Sequence, residues 1–251
     1  MGPPGTADAL RAPGPLLAVL LLGDGRFPAG GHAHSAGVEA AVADGRIACA
    51  TSLRHYLRGR LWTAGLTDAA MAAATAIAAA GGAGTGTGGS GDRSVHHRLV
   101  ALDAEAEARI APAPLRAASR RLGAQLLRAA GRCWPVALVE TARAVHLDGP
   151  HQPVALGATV VAAGGGPTDA AGLAVHHALT TPAQAAVRLL GLDPFEAAAA
   201  VAGLGGEAGA VVAEAVAAAS GPPADLPCRA GIVTDISAVH RAGSDRRLFV
   251  T

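Results

Sequence analysis

The sequence predicts an all-α fold, a single globular bundle of many short to medium helices. Three observations predict it. Apolar residues recur at helical spacing in several segments. Alanine is abundant and forms helix well. No strand-helix alternation, and no repeat of solenoid period, supports another architecture. The 251 residues carry a net charge of +1, with 51% hydrophobic, 16% charged and 2% aromatic residues. A sizeable core is therefore expected and a disordered chain is not.

Taken in order, residues 1–14 read as a disordered, Pro/Gly-rich N-terminal extension. Residues 15–251 read as one all-helical domain. The apolar run Leu16 to Leu22 has the character of a signal-sequence core. It is short and only Arg11 precedes it, so a buried first helix is the better reading. A Gly-rich loop follows from Gly23 to Gly37. An amphipathic helix is expected over 52–64, burying Leu53, Tyr56, Leu57 and Leu61 with Arg54 and Arg58 outside. The alanine run 68–80 extends the helical pattern. Residues 81–91 form a flexible Gly-rich loop within the domain.

Residues 93–110 and 114–130 read as helices. The second is expected to bury Leu115, Ala118, Leu122 and Leu126 and to expose Arg116, Arg120, Arg121 and Arg128. Residues 133–147 and 151–164 are short and apolar. Val154 to Val161 suits either a buried strand or a packed helix. Thr181-Pro182-Ala183-Gln184 and Asp193-Pro194-Phe195-Glu196 each have the capping pattern of a helix start. Helices over about 183–191 and 194–219 are expected to follow them.

Composition excludes several functions. All 20 basic residues are arginine. Walker, Schiff-base and kinase lysines are therefore absent. Near-neutral charge and few aromatic residues argue against nucleic-acid binding. No apolar stretch reaches the roughly 18 residues of a membrane span. Cys49, Cys133 and Cys228 are widely spaced and odd in number, which fits buried apolar thiols in a reducing cytoplasm.

The densest chemistry lies between Gly23 and Glu39. A structural reading gives it a Pro/Gly turn, Ser35 as the cap of a helix opening at Ala36, and Glu39 in that helix's first turn. A second reading is a small serine hydrolase using Ser35 with His240, and Asp225 or Asp235 as the third member. Ala33-His34-Ser35-Ala36-Gly37 narrowly misses the nucleophile-elbow pattern. A third is a metal site at His32, His34 and Glu39, with His96-His97 and His176-His177 as further candidates. A fourth is a surface read by partners.

The segment carrying Asp24, Pro28, Gly30, Gly31, His34, Ser35, Gly37, Val38 and Glu39 resembles the N-terminal signature of the UreF family of urease accessory proteins. Similarity extends through Pro114 to Gly123, the Thr181-Pro182 segment, and the tail Arg247-Leu248-Phe249-Val250-Thr251. His32 departs from that pattern, standing where an aromatic is common. Val38 replaces a leucine, and Thr251 a serine.

The resemblance implies an all-helical, non-catalytic chaperone of nickel insertion. It would act as a homodimer, join a UreD/UreH-type partner, recruit the GTPase UreG and serve apo-urease in the cytoplasm. No tightly bound cofactor is implied. Nickel would be handled transiently, with His34 and Glu39 as passing contacts. Arg241, Arg246, Arg247, Leu248, Phe249 and Thr251 would form a docking tail, with an apolar anchor and paired arginines.

Overall fold

The computed structural model describes residues 15–31, 34–81, 90–134 and 136–242, without the side chains of 90–92, 241 and 242. Its elements, in order, are α1 (Pro15–Gly23), α2 (Val38–Ala43), α3 (Ala50–Arg60), α4 (Leu66–Ala80), α5 (Ser90–Arg109), α6 (Ala113–Cys133), α7 (Ala137–Arg143), α8 (Gln152–Ala162), α9 (Pro167–Leu190), α10 (Pro194–Ala202), α11 (Gly205–Ala219) and α12 (Ile232–Ala242). A π-helical turn, Leu61–Gly65, joins α3 to α4, and a 3-10 turn, Pro223–Asp225, precedes α12. The described residues contain no strand, so the protein is all-α as expected.

The core is organised around α4, which packs most extensively on α8, α9 and α11. Ala69 to Ala76 are all buried. Alanine leaves little between the helix backbones, so α8 comes very close. A Cβ on Gly157 would lie 2.3 Å from the Ala72 carbonyl oxygen and 2.7 Å from Thr75 Cβ. The buried Thr75 hydroxyl donates to the Met71 carbonyl at 2.8 Å. The joined α3–α4 segment, Ala50–Ala80, is long and apolar enough to cross a membrane, but 61% of its most apolar stretch is buried inside the protein. It is the central helix of this core.

Several expectations need correction. Residues 154–161 lie in α8, as helix rather than strand. Thr181-Pro182 begins no helix; Pro182 is buried inside the 24-residue α9. That helix opens at Pro167, where the Asp169 carboxylate accepts from the Gly166 amide at 2.8 Å. Asp193 does cap α10, accepting from the Phe195 amide at 2.9 Å. The stretch 194–219 is two helices, α10 and α11, bent by 49° at their junction. α1 is only half buried: Ala18 and Leu22 face the core, while Leu16 and Leu20 are 72% and 62% exposed. All three cysteines are exposed.

The arginine face of α6 also differs. Arg121 and Arg128 are exposed, but Arg120 turns inward. It pairs with Asp103 at 3.0 Å and with Glu107 at 2.7 Å, and donates to the Gly149 carbonyl at 3.0 Å. Arg116 reaches Glu107 at 2.7 Å. The fully buried His151 places Nε2 2.8 Å from Glu107, and its amide donates to Asp103 at 2.7 Å. This cluster ties α5, α6 and the entry to α8 together. Leu115 and Leu122 are only half buried.

Removing one partner of a buried ion pair strands the other, so Arg120→Ala is expected to cost about 3–5 kcal/mol in urea denaturation. The same cluster sets an acid limit. Desolvation lowers the His151 pKa. Hydrogen bonds from Arg120 and His151 overcome desolvation and hold Glu107 below the ordinary carboxylate value. In both cases the unfolded chain binds more protons than the folded one. Stability should therefore fall first as pH drops below about 6.5, and again below about 4.5. Glu107→Gln should flatten the lower limb of the urea midpoint plotted against pH.

Candidate functional site

The signature segment leaves α1 at Gly23 and is pinned where it begins. His177 Nε2 lies 3.0 Å from the Leu22 carbonyl and His176 Nε2 2.9 Å from that of Gly23. Both histidines thus hold the last carbonyls of α1. Asp24 then accepts from the Arg26 amide at 2.9 Å and pairs with its guanidinium at 2.8 Å. Those hydrogen bonds bring the Asp24 pKa down to about 2. Phe27 stacks on Trp134 with ring centroids 6.3 Å apart.

Gly30 has φ +81°, and a Cβ there would sit 2.4 Å from Gln125 Oε1 on α6. The positive φ favours glycine, and the exposed Gln125 side chain would have to swing away from any Cβ placed there. The chain next turns through two left-handed residues, Ala36 at φ 51° and Gly37 at φ 86°. Tyr56 Oη on α3 donates to the Ala36 carbonyl at 2.7 Å and holds this turn. Gly37, not Ser35, is the N-cap of α2, and it supplies no side-chain cap. The Ser35 carbonyl accepts from the Val38 amide at 3.1 Å. Glu39 does lie in the first turn of α2.

The turn forms one wall of a cleft of about 640 Å³. α3, the π-turn, α4, α6, α8, α9 and α12 supply most of the rest, with Arg109 from α5. His34, Ser35 and Glu39 line it but are 8%, 1% and 8% exposed, so they are built into the wall. Asp24, Gly31 and Gly37 also line it. Pro28 is exposed on the outer side of the loop.

The hydrolase reading finds no support in this geometry. No strand leads into Ser35, which is buried, whereas His240 is exposed on α12 and Asp225 is exposed in the 3-10 turn. Among the described residues no three His, Cys, Asp or Glu side chains converge as a metal site. The His96 and His97 rings are tilted 53° apart, 6.1 Å between centroids. His32, Arg246, Arg247, Leu248, Phe249, Thr251 and the Arg241 side chain lie outside the described residues, as does most of the 81–91 loop.

Sequence reasoning missed α12 and the charged floor of the cleft. Buried Arg109 on α5 donates to the Pro223, Ala224 and Leu226 carbonyls, each at 3.1 Å, and so directs the chain into α12. α12 then packs on α2 and α6. The apolar spacing of Ile232, Val233, Ile236 and Val239 was the available signal. Asp68 on α4 was also available, as the one acid in an alanine run. Desolvation raises its pKa to about 6, only partly opposed by Arg60. Asp235 is raised by the same cause. Burial likewise raises the Tyr56 phenol.

Two outcomes follow from this geometry. Gly30→Ala should cost about 1–3 kcal/mol by thermal denaturation, and Gln125→Ala should restore only the part due to the clash. Asp68 binds a proton more readily folded than unfolded, so its contribution turns against the fold as pH rises from about 4 to 6. Asp68→Asn should therefore stabilise the protein at pH 7.5 by about 1–2 kcal/mol, and should lose that advantage at pH 4.

The UreF family model matches residues 47–205. The urease accessory protein UreF of Mycobacterium sp. (strain JLS) is 38% identical over 240 residues, spanning 94% of this chain and 99% of that protein. UreF of Mycolicibacterium vanbaalenii is 38% identical over 184 residues, 73% of this chain and 78% of its own. UreF of Mycobacterium tuberculosis (strain H37Ra) is 36% identical over 184 residues, 72% of this chain and 76% of its own. A match of this extent, joined to an all-helical fold, places the chain in the UreF family of urease accessory proteins.

Proposed function

We propose that this chain is a nickel-insertion chaperone of urease maturation, acting as a scaffold. It pairs as a homodimer, joins a UreD/UreH-type accessory protein and recruits the GTPase UreG to apo-urease. It works in the cytoplasm, without nucleic acid or membrane. Nickel is cargo of the assembled complex and touches His34 and Glu39 of this chain only in passing. The tail from Arg241 to Thr251 adds to the docking surface.

One observation carries this reading. The signature residues build a fixed, shaped cleft wall in which polar side chains are buried, so what they present is a contour. Five positions illustrate it: Gly30 and Gly37 at positive φ, and His34, Ser35 and Glu39 buried in the wall. A rigid contour suits recognition by a protein, which reads shape over a wide surface.

The test is light scattering on a sizing column, with the chain alone and co-expressed with the other urease accessory proteins. A dimer alone that moves into a stable heteromeric peak is the expected result. Gly37→Val, which must displace Tyr56 Oη and Thr234 Cγ2 at 2.7 and 2.8 Å, should weaken that peak by about tenfold or more in affinity. A monomer that joins no partner would overturn the proposal.

A further inference from the structure

The charged side chains that line the cleft are not all paired. Most are settled by neighbours: Asp24 pairs with Arg26, Arg46 with Asp44, Arg109 with Glu105 and Arg229 with Glu214. Asp68 differs. It lines the cleft from α4, and among the described residues its carboxylate has no hydrogen-bond or ion-pair partner. The Asp235 side chain, facing the cleft from α12, is in the same position. Arg60 on α3 acts on both only at a distance, forming an ion pair with neither. Its guanidinium makes a long 3.5 Å bond to the Ala36 carbonyl, and its buried Nε has no acceptor.

Two carboxylates and one guanidinium therefore share a cavity with unmet hydrogen bonds. An unpaired carboxylate inside a protein is costly, and a cation with donors is what relieves it. The surrounding wall includes apolar side chains, among them Leu115, Leu122 and Leu156. That combination suits a long alkyl stem ending in a cation. We propose that the cleft receives an arginine or lysine side chain of a partner protein, with Asp68 as its anchoring carboxylate and Asp235 as the second acceptor. This rests on the scaffold reading above and names the chemistry of the partner.

The test uses the full chain and two probes, acetyl-Gly-Arg-Gly-amide and the same peptide with citrulline in place of arginine. Citrulline keeps the shape and loses the charge. NMR titration at pH 7.5 should show the arginine peptide binding, and binding weaker by about tenfold or more for the citrulline peptide and for Asp68→Asn. Asp68→Glu should keep part of the affinity. Arginine-peptide binding should also fall between pH 7.5 and 5 in the wild type, and fall less steeply in Asp68→Asn. The other titratable or charged groups on the cleft wall are Asp24, His34, Glu39, Arg46, His55, Tyr56, Arg60, Arg109, His177, Arg229 and Asp235, so the comparison with Asp68→Asn isolates its share.

Equal binding of both peptides, or no effect of Asp68→Asn, would overturn the proposal. So would an arginine peptide that binds only after deletion of residues 243–251, since the occupant would then be the chain's own tail. Asp68→Asn should also loosen the heteromeric complex on the sizing column by a similar factor. Wild-type affinity there would overturn the partner assignment while leaving the scaffold reading intact. Failure of the wild type to join any accessory protein would instead sink the scaffold reading, and the peptide titration would still decide the chemistry of the cleft.

Discussion

The crossing of α4 with α8 is the constraint on which the rest of the structure depends. Gly157 brings the α8 backbone against the Ala72 carbonyl, and no side chain larger than hydrogen fits between them. That closeness lets a run of alanines act as a core, because dispersion contacts between small groups need short range. With few large side chains available, close approach replaces bulk. α9 and α11 then enclose α4 on its remaining sides. The cleft opens where this packing stops, along the π-turn and the first turn of α4. A π-turn widens a helix locally, and such turns recur at functional sites. Here it puts Thr63, Ala64 and Asp68 on the cleft wall.

Around that core, polar groups do two different jobs. Asp103, Glu107, Arg116, Arg120 and His151 satisfy one another and lock α5, α6 and α8 in one arrangement. Arg109 does the same for the chain entering α12 by bridging three carbonyls. Asp68, Asp235 and Arg60 do not satisfy one another. Leaving two carboxylates without partners beside a cleft weakens the fold. Such open charges are commonly kept for a ligand or a partner.

The helical class and much of the element order were legible in the sequence. Asp193-Pro194-Phe195-Glu196 is a local signal and was read correctly, because a cap needs only its own three neighbours. Thr181-Pro182-Ala183-Gln184 has the same local pattern and misled, because neighbours of α9 keep the helix running through Pro182, whose missing N–H leaves one ladder bond unmade. Arg120 looked solvated on a basic face. Its partners lie 13 and 17 residues earlier, on another helix, beyond the reach of local spacing. The signature segment was legible as a set of residues, but its work was not: Ser35 looked like a cap, and the cap is Gly37.

The sequence by itself determined the class, the family and the identity of the signature, since all three are written in short-range pattern: apolar periodicity, alanine content, and glycines and prolines at fixed offsets. Only the tertiary structure decided where the signature faces, which of its side chains are buried, and that Asp68, Asp235 and Arg60 from three separate helices meet at one cleft. The physical reason is range. Helix formation and capping are settled within about four residues. The burial of a charge depends on whichever distant segments happen to surround it.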